Sequence, residues 1–577
     1  MARIDDLTRP GGSWSFEGAR ARGAAWSLGD VVGEIAAAEQ RAREAGEWVL
    51  LAVAYEAAAA FDPVVRTAPR PPAGIPFVWW QSYTRRTPAR PPLAMPSRVV
   101  ERRRRANRMS YPDAVADIRH RIAAGDVYQV NMTDRFDGRY EGTPDDVYAA
   151  LLGVQRCAFG ALIDLGERVI ASVSPELFFR WDGTTITCRP MKGTTARRPR
   201  PGDDAAAAVA LRASPKERAE NVMIVDLLRN DLGRLADTGS VTVPELFTLE
   251  RYETVWQLTS TVTAEVPETL RLTEVFAALF PCGSVTGAPK IAAMDVIAEL
   301  EADPRGVYCG AIGVLAPPGH GPQAVCSVPI RTAVLDPRSA TFEYGAGGGI
   351  TWSSDPAAED AEVGAKARVL THSHRSLQLL ETLRAEPLHG VLRVGAHLDR
   401  MEASAGWFGY PFDRSGIEAE LTAWAPGASV ERVRVLSGPD GTWSVERHPL
   451  DELPVPVRLA VDTAVTRSDD PFCCHKTTWR RQYDEARARH PRADDVIIVN
   501  EHHRVVETAI ANLAYQLDGR WYCPPLDDGG LPGVARAIEV AAGRLTERAL
   551  GVADLGRCSA LAVVNDLRGW RPAVLVR

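Results

Sequence analysis

Lysine is scarce in this sequence, and the shortage is informative. Of the 67 basic residues in the 577-residue chain, only five are lysines: Lys192, Lys216, Lys290, Lys366 and Lys476. Arginine carries a solvated positive charge equally well but cannot lose its proton in a protein, so chemistry that needs a neutral amine cannot use it. The few lysines are therefore candidates for nucleophilic attack on carbon or for Schiff-base formation.

Other absences exclude whole classes of protein. No run of about 18 apolar residues is present, which argues against a membrane span. The nine cysteines include no CxxC pair, so we expect neither a disulfide framework nor a zinc site. The first residues, MARIDDLTRP, lack the basic start and apolar core of a signal peptide, and we expect a cytoplasmic protein. The net charge of −7 gives no reason to expect a nucleic-acid partner, and the run ERRRR (101–105) is interpreted as a solvated linker or helix face.

The composition, 45% hydrophobic and 24% charged residues, is that of a globular protein long enough for several domains. Apolar patterning is dense from residue 111 to about 370. A polar joint, THSHRS, follows, and a new pattern begins with LLETLRA. We therefore predict a first domain over 1–370, a joint over 371–376 and a second domain over 377–577. No internal repeat is visible, which excludes solenoids and propellers.

Two predicted helices carry carboxylates on inward faces. SPKERAENVMIVDLLRNDLGR (214–234) begins with Ser214 as N-cap and places Glu220 on the same face as apolar residues. A second helix is predicted from residue 355 to about 370, with Glu359, Glu362 and Lys366 on one face. Two such faces suit a hard cation such as Mg²⁺, although each face alone is more often a surface salt-bridge face.

Strand and loop signals surround these helices. AVCSVPIRTAVLD (324–336) and ATFEYGAGG (340–348) predict two strands joined by a turn at DPRS. GSVTGAPK (283–290) fails the Walker pattern because its lysine does not directly follow a glycine. Its small residues before a helix would still offer backbone N–H groups to an anion.

Seven motifs, in the expected order, together resemble those of the chorismate-utilising enzymes. They are GDVYQVNMTDRF (125–136), SPELFFR (174–180), RPMKGTTARR (189–198), AENVMIVDLLRNDLGR (219–234), CGSVTGAPK (282–290), YCGAIG (308–313) and YGAGGGITWSSDPAAEDAEVGAKA (344–367). The resemblance covers roughly residues 45 to 370. The family comprises anthranilate synthase large subunits, aminodeoxychorismate synthase component I, and isochorismate and salicylate synthases. It implies two β-sheets packed face to face with helices outside, and a magnesium ion that binds the ring carboxylate of chorismate.

By this resemblance a few positions set the chemistry of the first domain. Lys192 matches a lysine of aminodeoxychorismate synthases, where anthranilate synthases have alanine. Its amine would attack ring C2 and expel the C4 hydroxyl, after which ammonia adds at C4. Glu176 matches the general acid that protonates the departing hydroxyl, a role that needs a raised pKa. Isochorismate-forming members have lysine where this chain has Gln129, which cannot act as a base, and Gln257 replaces a histidine of several relatives.

The resemblance also implies the residues that bind metal and substrate. Glu220 and Glu362 would bind magnesium directly, and Glu359 would do so through water. Tyr308 and Arg331 match the pair that holds the pyruvyl carboxylate, where a guanidinium group suits a planar acid. The other substrate-binding candidates are Gly347, Lys366 beside the magnesium cluster, and Thr286 and Lys290 at the anion-binding turn.

Four motifs in the second domain resemble the class IV pyridoxal-phosphate enzymes, which include branched-chain and D-amino-acid transaminases and 4-amino-4-deoxychorismate lyase. They are HLDRMEASAGWFG (397–409), HKTTWRRQYDEA (475–486), ETAIANLAY (507–515) and LPGVARA (531–537). By this match Lys476 bonds to the cofactor, and Glu507 keeps the pyridine nitrogen protonated so that the ring acts as an electron sink. The cofactor-binding candidates are Arg400 and the helix start at Gly533, Val534 and Ala535 for the phosphate, together with Glu507 and Asn512. The domain begins later than its relatives do, which leaves open a weakened or inactive lyase.

Together the two resemblances imply an α+β chain, with an anthranilate synthase component I-like sandwich followed by a two-subdomain class IV fold. The implied function has two steps: magnesium-dependent amination of chorismate to 4-amino-4-deoxychorismate, then pyridoxal-phosphate-dependent elimination of pyruvate to 4-aminobenzoate. No Cys-His-Glu glutaminase segment is visible, so ammonia is expected from a separate glutamine amidotransferase subunit.

Two alternative functions stay open at this point. One is an anthranilate-type synthase fused to a transaminase that acts on another substrate. In the other, the second domain is a non-catalytic docking module. The sequence does not distinguish a folate pathway from a secondary-metabolite pathway, and a homodimer through the second domain is a further hypothesis.

Overall fold

The structure, a computed structural model, describes residues 2–9, 11–92, 96–155, 157–252, 255–371, 377–423 and 429–576. The chain divides into two units: the first contains Met1–Ala196 and Ala208–His374, and the second contains Arg197–Ala207 and Arg375–Arg577. Most of the predicted joint, residues 372–376, lies outside the described residues. Within the described part of the chain, no helix has both the length and the apolar character to cross a bilayer.

The first unit contains most of the strands. They are β1 (Ala2–Asp5), β2 (Ser13–Ala25), β3 (Trp48–Val53), β4 (Val78–Pro88), β5 (Val99–Arg104), β6 (Gln129–Tyr140), β7 (Phe159–Asp164), β8 (Val169–Ser174), β9 (Leu177–Trp181), β10 (Thr185–Arg189), β11 (Met191–Ala196), β12 (Thr242–Arg251), β13 (Val255–Glu265), β14 (Gly287–Ala288), β15 (Ala311–Leu315), β16 (Ala324–Ser327), β17 (Thr332–Asp336) and β18 (Thr341–Ile350). The helices up to residue 366 are α1 (Val31–Arg43), α2 (Tyr111–Ala124), α3 (Pro144–Val154), α4 (Pro201–Ala213), α5 (Pro215–Gly233), α6 (Leu272–Leu279), α7 (Lys290–Leu300) and α8 (Pro356–Lys366).

Packing in the first unit is that of a β-sandwich with helices outside. Leu51 of β3 joins a buried cluster with α1, α5 and α6, whereas its neighbour Leu50 packs with Ile163 of β7 and Ile170 of β8 in a cluster formed mainly by strands. Leu162 of β7 faces the other way, into a third cluster with α2, α3, α7 and α8. Because side chains alternate across a strand, a strand-on-strand core lies between two helix-covered faces. The predicted α+β sandwich is confirmed.

Both predicted carboxylate-bearing helices form, because their starting signals are local. The Ser214 hydroxyl accepts a hydrogen bond from the backbone N–H of Glu217 at the start of α5. Asp355 caps α8 in the same way through Ala358, and a 3₁₀ turn over Ala367–Leu370 continues α8 to the predicted end. The caps satisfy backbone donors that would otherwise be unpaired at the helix starts.

Two sequence predictions are wrong in this unit. The segment 324–336 is not one strand but β16 and β17, separated at residues 328–331, where Pro329 has no N–H to donate to a ladder. The run ERRRR is not a linker or helix face; most of it forms strand β5, paired with β6. Arg103 and Arg104 pair with Asp137 and Asp134 at 2.9 and 2.5 Å, so neighbouring carboxylates neutralise the run.

The second unit consists of two subdomains, each built on a sheet, as predicted. Its strands are β19 (Leu379–Glu386), β20 (Gly390–Val391), β21 (Glu431–Ser437), β22 (Trp443–Pro449), β23 (Val457–Thr466), β24 (Asp495–Asn500), β25 (Val505–Thr508), β26 (Asn512–Leu517), β27 (Arg520–Cys523), β28 (Thr546–Glu547), β29 (Ala560–Asn565) and β30 (Gly569–Leu575). Its helices after residue 390 are α9 (Val394–Phe408), α10 (Arg414–Thr422), α11 (Pro471–Cys474), α12 (Arg481–Arg489) and α13 (Val534–Ala541). One sheet has the order β20-β19-β21-β22, and the other has the order β25-β24-β23-β30-β29-β26-β27-β28.

The second unit includes residues from far upstream, Arg197–Ala207. Arg197 forms an ion pair of 2.7 Å with Asp204, and only 4% and 5% of the two side chains are exposed. The Arg197 guanidinium also donates to the carbonyl of Trp407 on α9 at 2.8 Å and lies 4.6 Å from the centre of the indole ring. This segment is therefore an integral part of the packing around α9.

Candidate active sites

A cavity of about 540 Å³ in the first unit gathers most of the candidate residues of that unit. It is lined by residues from β11, α5, β18 and α8 and from the loops before β9 and β17. The predicted residues that line it are Glu176, Lys192, Glu220, Tyr308, Arg331, Gly347, Glu359, Glu362 and Lys366. Residues from five separate motifs thus meet in one concave site, the usual setting for small-molecule chemistry.

Lys192 lies at an irregularity in strand β11. The register between β11 and β13 shifts between Met191 and Thr194, and Gly193 adopts φ +95°, a value that L side chains rarely reach. Such a bulge changes the direction of a side chain relative to a regular strand. The bulge at Gly193 and the glycine-rich strand β18 across the cavity therefore determine where the Lys192 amine points.

The glycine run of β18 makes room for the functional side chains. A Cβ atom on Gly349 would lie 2.5 Å from Lys192 Nζ and 2.6 Å from Gln129 Nε2. On Gly345 it would lie 2.4 Å from the Tyr308 ring. Any larger residue at these positions would displace the site residues, so the bare backbone of β18 forms one wall of the cavity.

The Lys192 amine makes no hydrogen bond or ion pair with any described residue. Burial is the main cause that lowers its pKa; Glu220 opposes the shift, and Lys366 adds to it. An amine that is desolvated and unpaired loses its proton more readily than a solvated lysine does. Lys192 is therefore suited to nucleophilic attack in its neutral form.

Glu176 is buried beside this amine, with 3% of its surface exposed. Burial raises its pKa to about 7, while a hydrogen bond from Ser284 and the charge of Lys192 act in the opposite direction. The Ser284 hydroxyl donates to Glu176 Oε1 at 2.5 Å. A carboxyl group with a pKa near neutrality can act as a general acid.

Three carboxylates line the same cavity and differ in their partners. Glu220 lies 3.9 Å from the Lys216 amine, Glu359 accepts a hydrogen bond of 2.7 Å from Ser354, and Glu362 pairs with Lys366 at 2.8 Å. Lys366 also donates to the carbonyl of Gly347 at 2.8 Å. Among the described residues, no three potential ligands form a ready-made metal cage. Carboxylates on a cavity wall nevertheless fit Mg²⁺, which commonly uses one or two of them together with water and an anionic substrate.

Arg331 and Tyr308 lie on the cavity wall as an anion-binding pair requires. Arg331 has φ +53° in the break between β16 and β17 and forms no side-chain hydrogen bond or ion pair with a described residue. Tyr308 is buried, which raises the pKa of its phenol well above the usual value, so it remains a neutral hydrogen-bond donor. The guanidinium group is thus available to a carboxylate of the substrate.

Two predicted substrate residues lie elsewhere. Thr286 is fully buried, and its hydroxyl donates to the carbonyl of Cys282 at 3.2 Å. The Lys290 amine donates to Asp231 on α5 at 2.6 Å and to the carbonyl of Leu279 at 3.1 Å. Neither residue is among the described residues that line the cavity, and each side chain is held by contacts within the protein. The sequence alone did not indicate Asp231 as the partner of Lys290.

The second unit has its own candidate site around Lys476. The Lys476 amine has no hydrogen bond or ion pair with a described residue, and burial lowers its pKa to about 8 against the opposing charge of Glu381. On the next residue upstream, His475, Nδ1 contacts the Ser404 hydroxyl and Nε2 contacts the carbonyl of Pro199, each at 2.9 Å. Since a carbonyl only accepts, the Nε2 atom must carry the proton. Lys476 is therefore a titratable amine on a firmly held segment.

Glu507 is held by three donors. Tyr483 donates to its Oε1 atom at 2.7 Å, and the Leu531 backbone N–H and the Asn512 amide donate to Oε2 at 3.1 and 3.3 Å. Burial raises the pKa of Glu507 to about 7 in spite of these bonds. A Cβ atom on Gly533 would lie 1.9 Å from Asn512 Oδ1, so glycine is needed where the chain enters α13.

Arg400 lies next to the start of α13. Its guanidinium donates two hydrogen bonds of 2.7 Å to Glu381 and one of 2.9 Å to the carbonyl of Pro532. His397 contacts Glu381 at 2.7 Å and Asp566 at 3.0 Å. A cation beside a helix N-terminus, a titratable lysine and an oriented carboxylate fit pyridoxal phosphate. The sequence motifs did not indicate Glu381, which fixes the guanidinium group.

The two units match two different families of known proteins. Residues 19–372 match the family model for chorismate binding enzyme, and residues 378–576 match that for amino-transferase class IV. Both models describe enzyme families.

The first unit is similar to curated and solved proteins. Aminodeoxychorismate synthase component 1 of Escherichia coli (strain K12) is 43% identical over 255 residues, which cover 44% of this chain and 55% of that protein. Anthranilate synthase component 1 of Streptomyces coelicolor is 39% identical over 261 residues, 45% of this chain and 50% of that protein. The crystal structure of anthranilate synthase component I from Streptococcus pneumoniae TIGR4 is similar with a TM-score of 0.51 and 25% identity, over 59% of this chain and 85% of that chain. The chain thus spans little more than half the length of the curated relatives it matches.

Proposed function

This chain belongs to the family of chorismate binding enzymes, and from that premise we propose that its first unit aminates chorismate at C4 to give 4-amino-4-deoxychorismate. The observation that carries the proposal is the Lys192 amine, which has no hydrogen-bond or ion-pair partner among the described residues, has a lowered pKa and faces the same cavity as the acid Glu176. A water-activating base is not available at the position of Gln129, which favours an amine nucleophile over water.

The proposed chemistry is a pair of allylic displacements. The neutral Lys192 Nζ forms a bond to ring C2, the two ring double bonds shift, and the C4–O bond breaks as Glu176 gives its proton to the departing hydroxyl. Ammonia then forms a bond to C4, the double bonds shift back, the bond between C2 and Lys192 breaks, and the new C4 ammonium group returns one proton to the Glu176 carboxylate. The sum is chorismate plus ammonia giving 4-amino-4-deoxychorismate plus water, and Lys192 is restored.

Substrate orientation in this proposal depends on charge. Arg331 and Tyr308 would hold the pyruvyl carboxylate, since a guanidinium group that no described residue pairs with matches a planar acid. Glu220, Glu359 and Glu362 would hold Mg²⁺, which when bound offsets the charge of the ring carboxylate. Lys366 keeps Glu362 oriented through their 2.8 Å contact.

Ammonia is proposed to come from a separate glutamine amidotransferase subunit. Eight of the nine cysteines of the chain are buried and the ninth is partly buried, and burial raises the thiol pKa of several of them, including Cys473 and Cys523. A glutaminase nucleophile needs an accessible thiol with a lowered pKa. These cysteines are therefore unsuited to glutamine hydrolysis.

For the second unit we propose elimination of pyruvate from 4-amino-4-deoxychorismate to give 4-aminobenzoate. Pyridoxal phosphate, when bound, supplies the electron sink for such bond cleavage. Lys476 would hold the cofactor and move protons as a free amine, and Glu507, oriented by Tyr483, would hold a proton at the pyridine nitrogen. Arg400 and the start of α13 would hold the phosphate.

Product identification tests the proposal. The full chain is incubated with chorismate, ammonium, Mg²⁺ and pyridoxal phosphate, and the products are separated by chromatography against authentic standards. We expect 4-aminobenzoate, and 4-amino-4-deoxychorismate in samples of Lys476→Ala. The ortho isomer, anthranilate, would refute C4 amination. Accumulation of 4-amino-4-deoxychorismate by the unaltered chain with cofactor would refute the lyase step and support a docking role for the second unit.

A further inference from the structure

A short line of buried polar groups lies behind the acid of the first cavity. The Cys282 sulfur is 3.2 Å from the Ser284 hydroxyl, which is 2.5 Å from Glu176 Oε1. The exposed fractions of Cys282, Ser284 and Glu176 are 2%, 4% and 3%, so water does not compete for these contacts. Ser284 lines the cavity but belongs to none of the roles assigned above.

Both ends of this line are anchored to backbone. Ser284 lies on the 3₁₀ turn Gly283–Val285, which follows Cys282 directly. On the other side, the Glu176 N–H donates to the Ser174 hydroxyl at 3.2 Å, and the Glu176 carbonyl accepts from the N–H of Val328 at 3.1 Å. The distance between Ser284 and the carboxyl group is thus set by two fixed segments rather than by mobile side chains.

The hydrogens available on each group determine which atom donates in the two contacts among Cys282, Ser284 and Glu176. A serine hydroxyl has one hydrogen to donate, and a carboxylate oxygen that receives it can only accept. Burial raises the pKa of the Cys282 thiol to about 12, so the thiol keeps its hydrogen and can donate to the Ser284 oxygen. Glu176 Oε1 is therefore occupied as an acceptor. No described residue hydrogen-bonds Oε2, and this oxygen is left to carry the acidic proton.

We propose that Ser284 is a positioning residue for Glu176: its hydroxyl occupies Oε1 and so directs the exchangeable proton to Oε2, while the Cys282 thiol fixes the orientation of that hydroxyl. The proposal rests on the proposed role of Glu176 as the general acid. It adds a function to the GSVTGAPK loop through a side chain, where the sequence pattern had indicated only backbone N–H groups.

The hydrogen bond from Ser284 to Glu176 has a role in both displacements of the proposed reaction. The titratable group facing Glu176 is Lys192 on β11, and the neutral thiol of Cys282 lies behind Ser284. A hydroxyl donor stabilises the carboxylate more than the neutral acid. After Glu176 has given its proton to the departing hydroxyl, Ser284 therefore stabilises the carboxylate that must accept a proton when ammonia adds.

The test is the pH dependence of amination by full-chain variants. With Ser284→Ala we expect kcat to fall roughly tenfold with KM changed less than about twofold, and the alkaline limb of the kcat profile to move upward by about one pH unit. Ser284→Thr retains a hydroxyl and should restore both. Ser82→Ala is the matched control, because Ser82 is equally buried and its hydroxyl contacts only the backbone of Ala21 on β2.

Two outcomes separate this inference from the proposed function. If Glu176→Gln is inactive but Ser284→Ala keeps the kcat and the pH profile of the unaltered chain, the positioning role is wrong while the acid role stands. If Glu176→Gln retains activity, the acid role itself is wrong and the inference fails with it. A Ser284→Ala defect that Ser82→Ala reproduces would also overturn the inference, because it would reflect loss of a buried hydroxyl in general.

Discussion

Replacing Lys192 by arginine separates charge from nucleophilicity. The substitution keeps a positive charge in the cavity but removes the neutral amine that the proposed displacement needs. The ordinary pKa of an arginine side chain lies at least about two units above that of a lysine side chain, and burial lowers the pKa of the lysine here. A difference of at least two pKa units reduces the neutral fraction at a given pH by at least about a hundredfold. We therefore expect C4 amination to fall by at least about a hundredfold, with chorismate binding retained.

The assay is single-turnover chorismate consumption, combined with intact-mass detection of an adduct on the chain. The control is Lys216→Arg, since the Lys216 side chain is 50% exposed, and its 3.9 Å contact with a carboxylate does not require a neutral amine. The control should stay within about threefold of the unaltered chain. Amination by Lys192→Arg at more than about a tenth of the normal rate would refute covalent catalysis by this residue.

Three further predictions follow from the contacts described. Because burial raises the pKa of Glu176 to about 7, the acid is protonated below that pH. In single-turnover experiments, the rate of the first displacement should therefore fall as pH rises through about 7. A rising rate would contradict the acid role. Tyr483→Phe removes a donor that stabilises the Glu507 carboxylate, so the pKa of Glu507 should rise. The pH at which the visible absorbance of the bound cofactor changes should then shift upward. An unshifted titration would contradict the contact. Arg197→Ala leaves Asp204 buried without its partner, which should cost about 3–5 kcal/mol and lower the urea midpoint of the second unit; an unchanged midpoint would contradict this packing.

Local signals were sufficient to predict the elements that carry the metal candidates. Ser214 and Asp355 cap the two helices as their sequence patterns indicate, because capping depends on residues three positions apart. The inward faces of Glu220 and Glu362 follow from helical periodicity, and both residues line the cavity. The resemblance to a known family supplied the roles, whereas periodicity alone supplied only the orientation.

Contacts between distant segments could not be predicted in the same way. Lys290 was assigned to the anion-binding turn, but its amine reaches Asp231 on another helix, and no local pattern encodes that distance. The direction of the Lys192 side chain depends on a bulge between β11 and β13. This bulge arises from the pairing of two strands rather than from the β-propensity of single residues. Arg331 faces the cavity because the strand breaks at Pro329, a proline that the strand pattern of the segment concealed.

The assignment of Arg197–Ala207 to the second unit has a consequence for how such a fusion can evolve or be divided. The two halves are interleaved along the gene, so recombination that exchanged only the downstream coding region would separate α9 from the stretch that covers it. A polypeptide that begins after residue 376 would likewise lack its own Arg197–Asp204 pair. Dividing the gene at the joint would therefore leave a segment that packs against α9 on the other product.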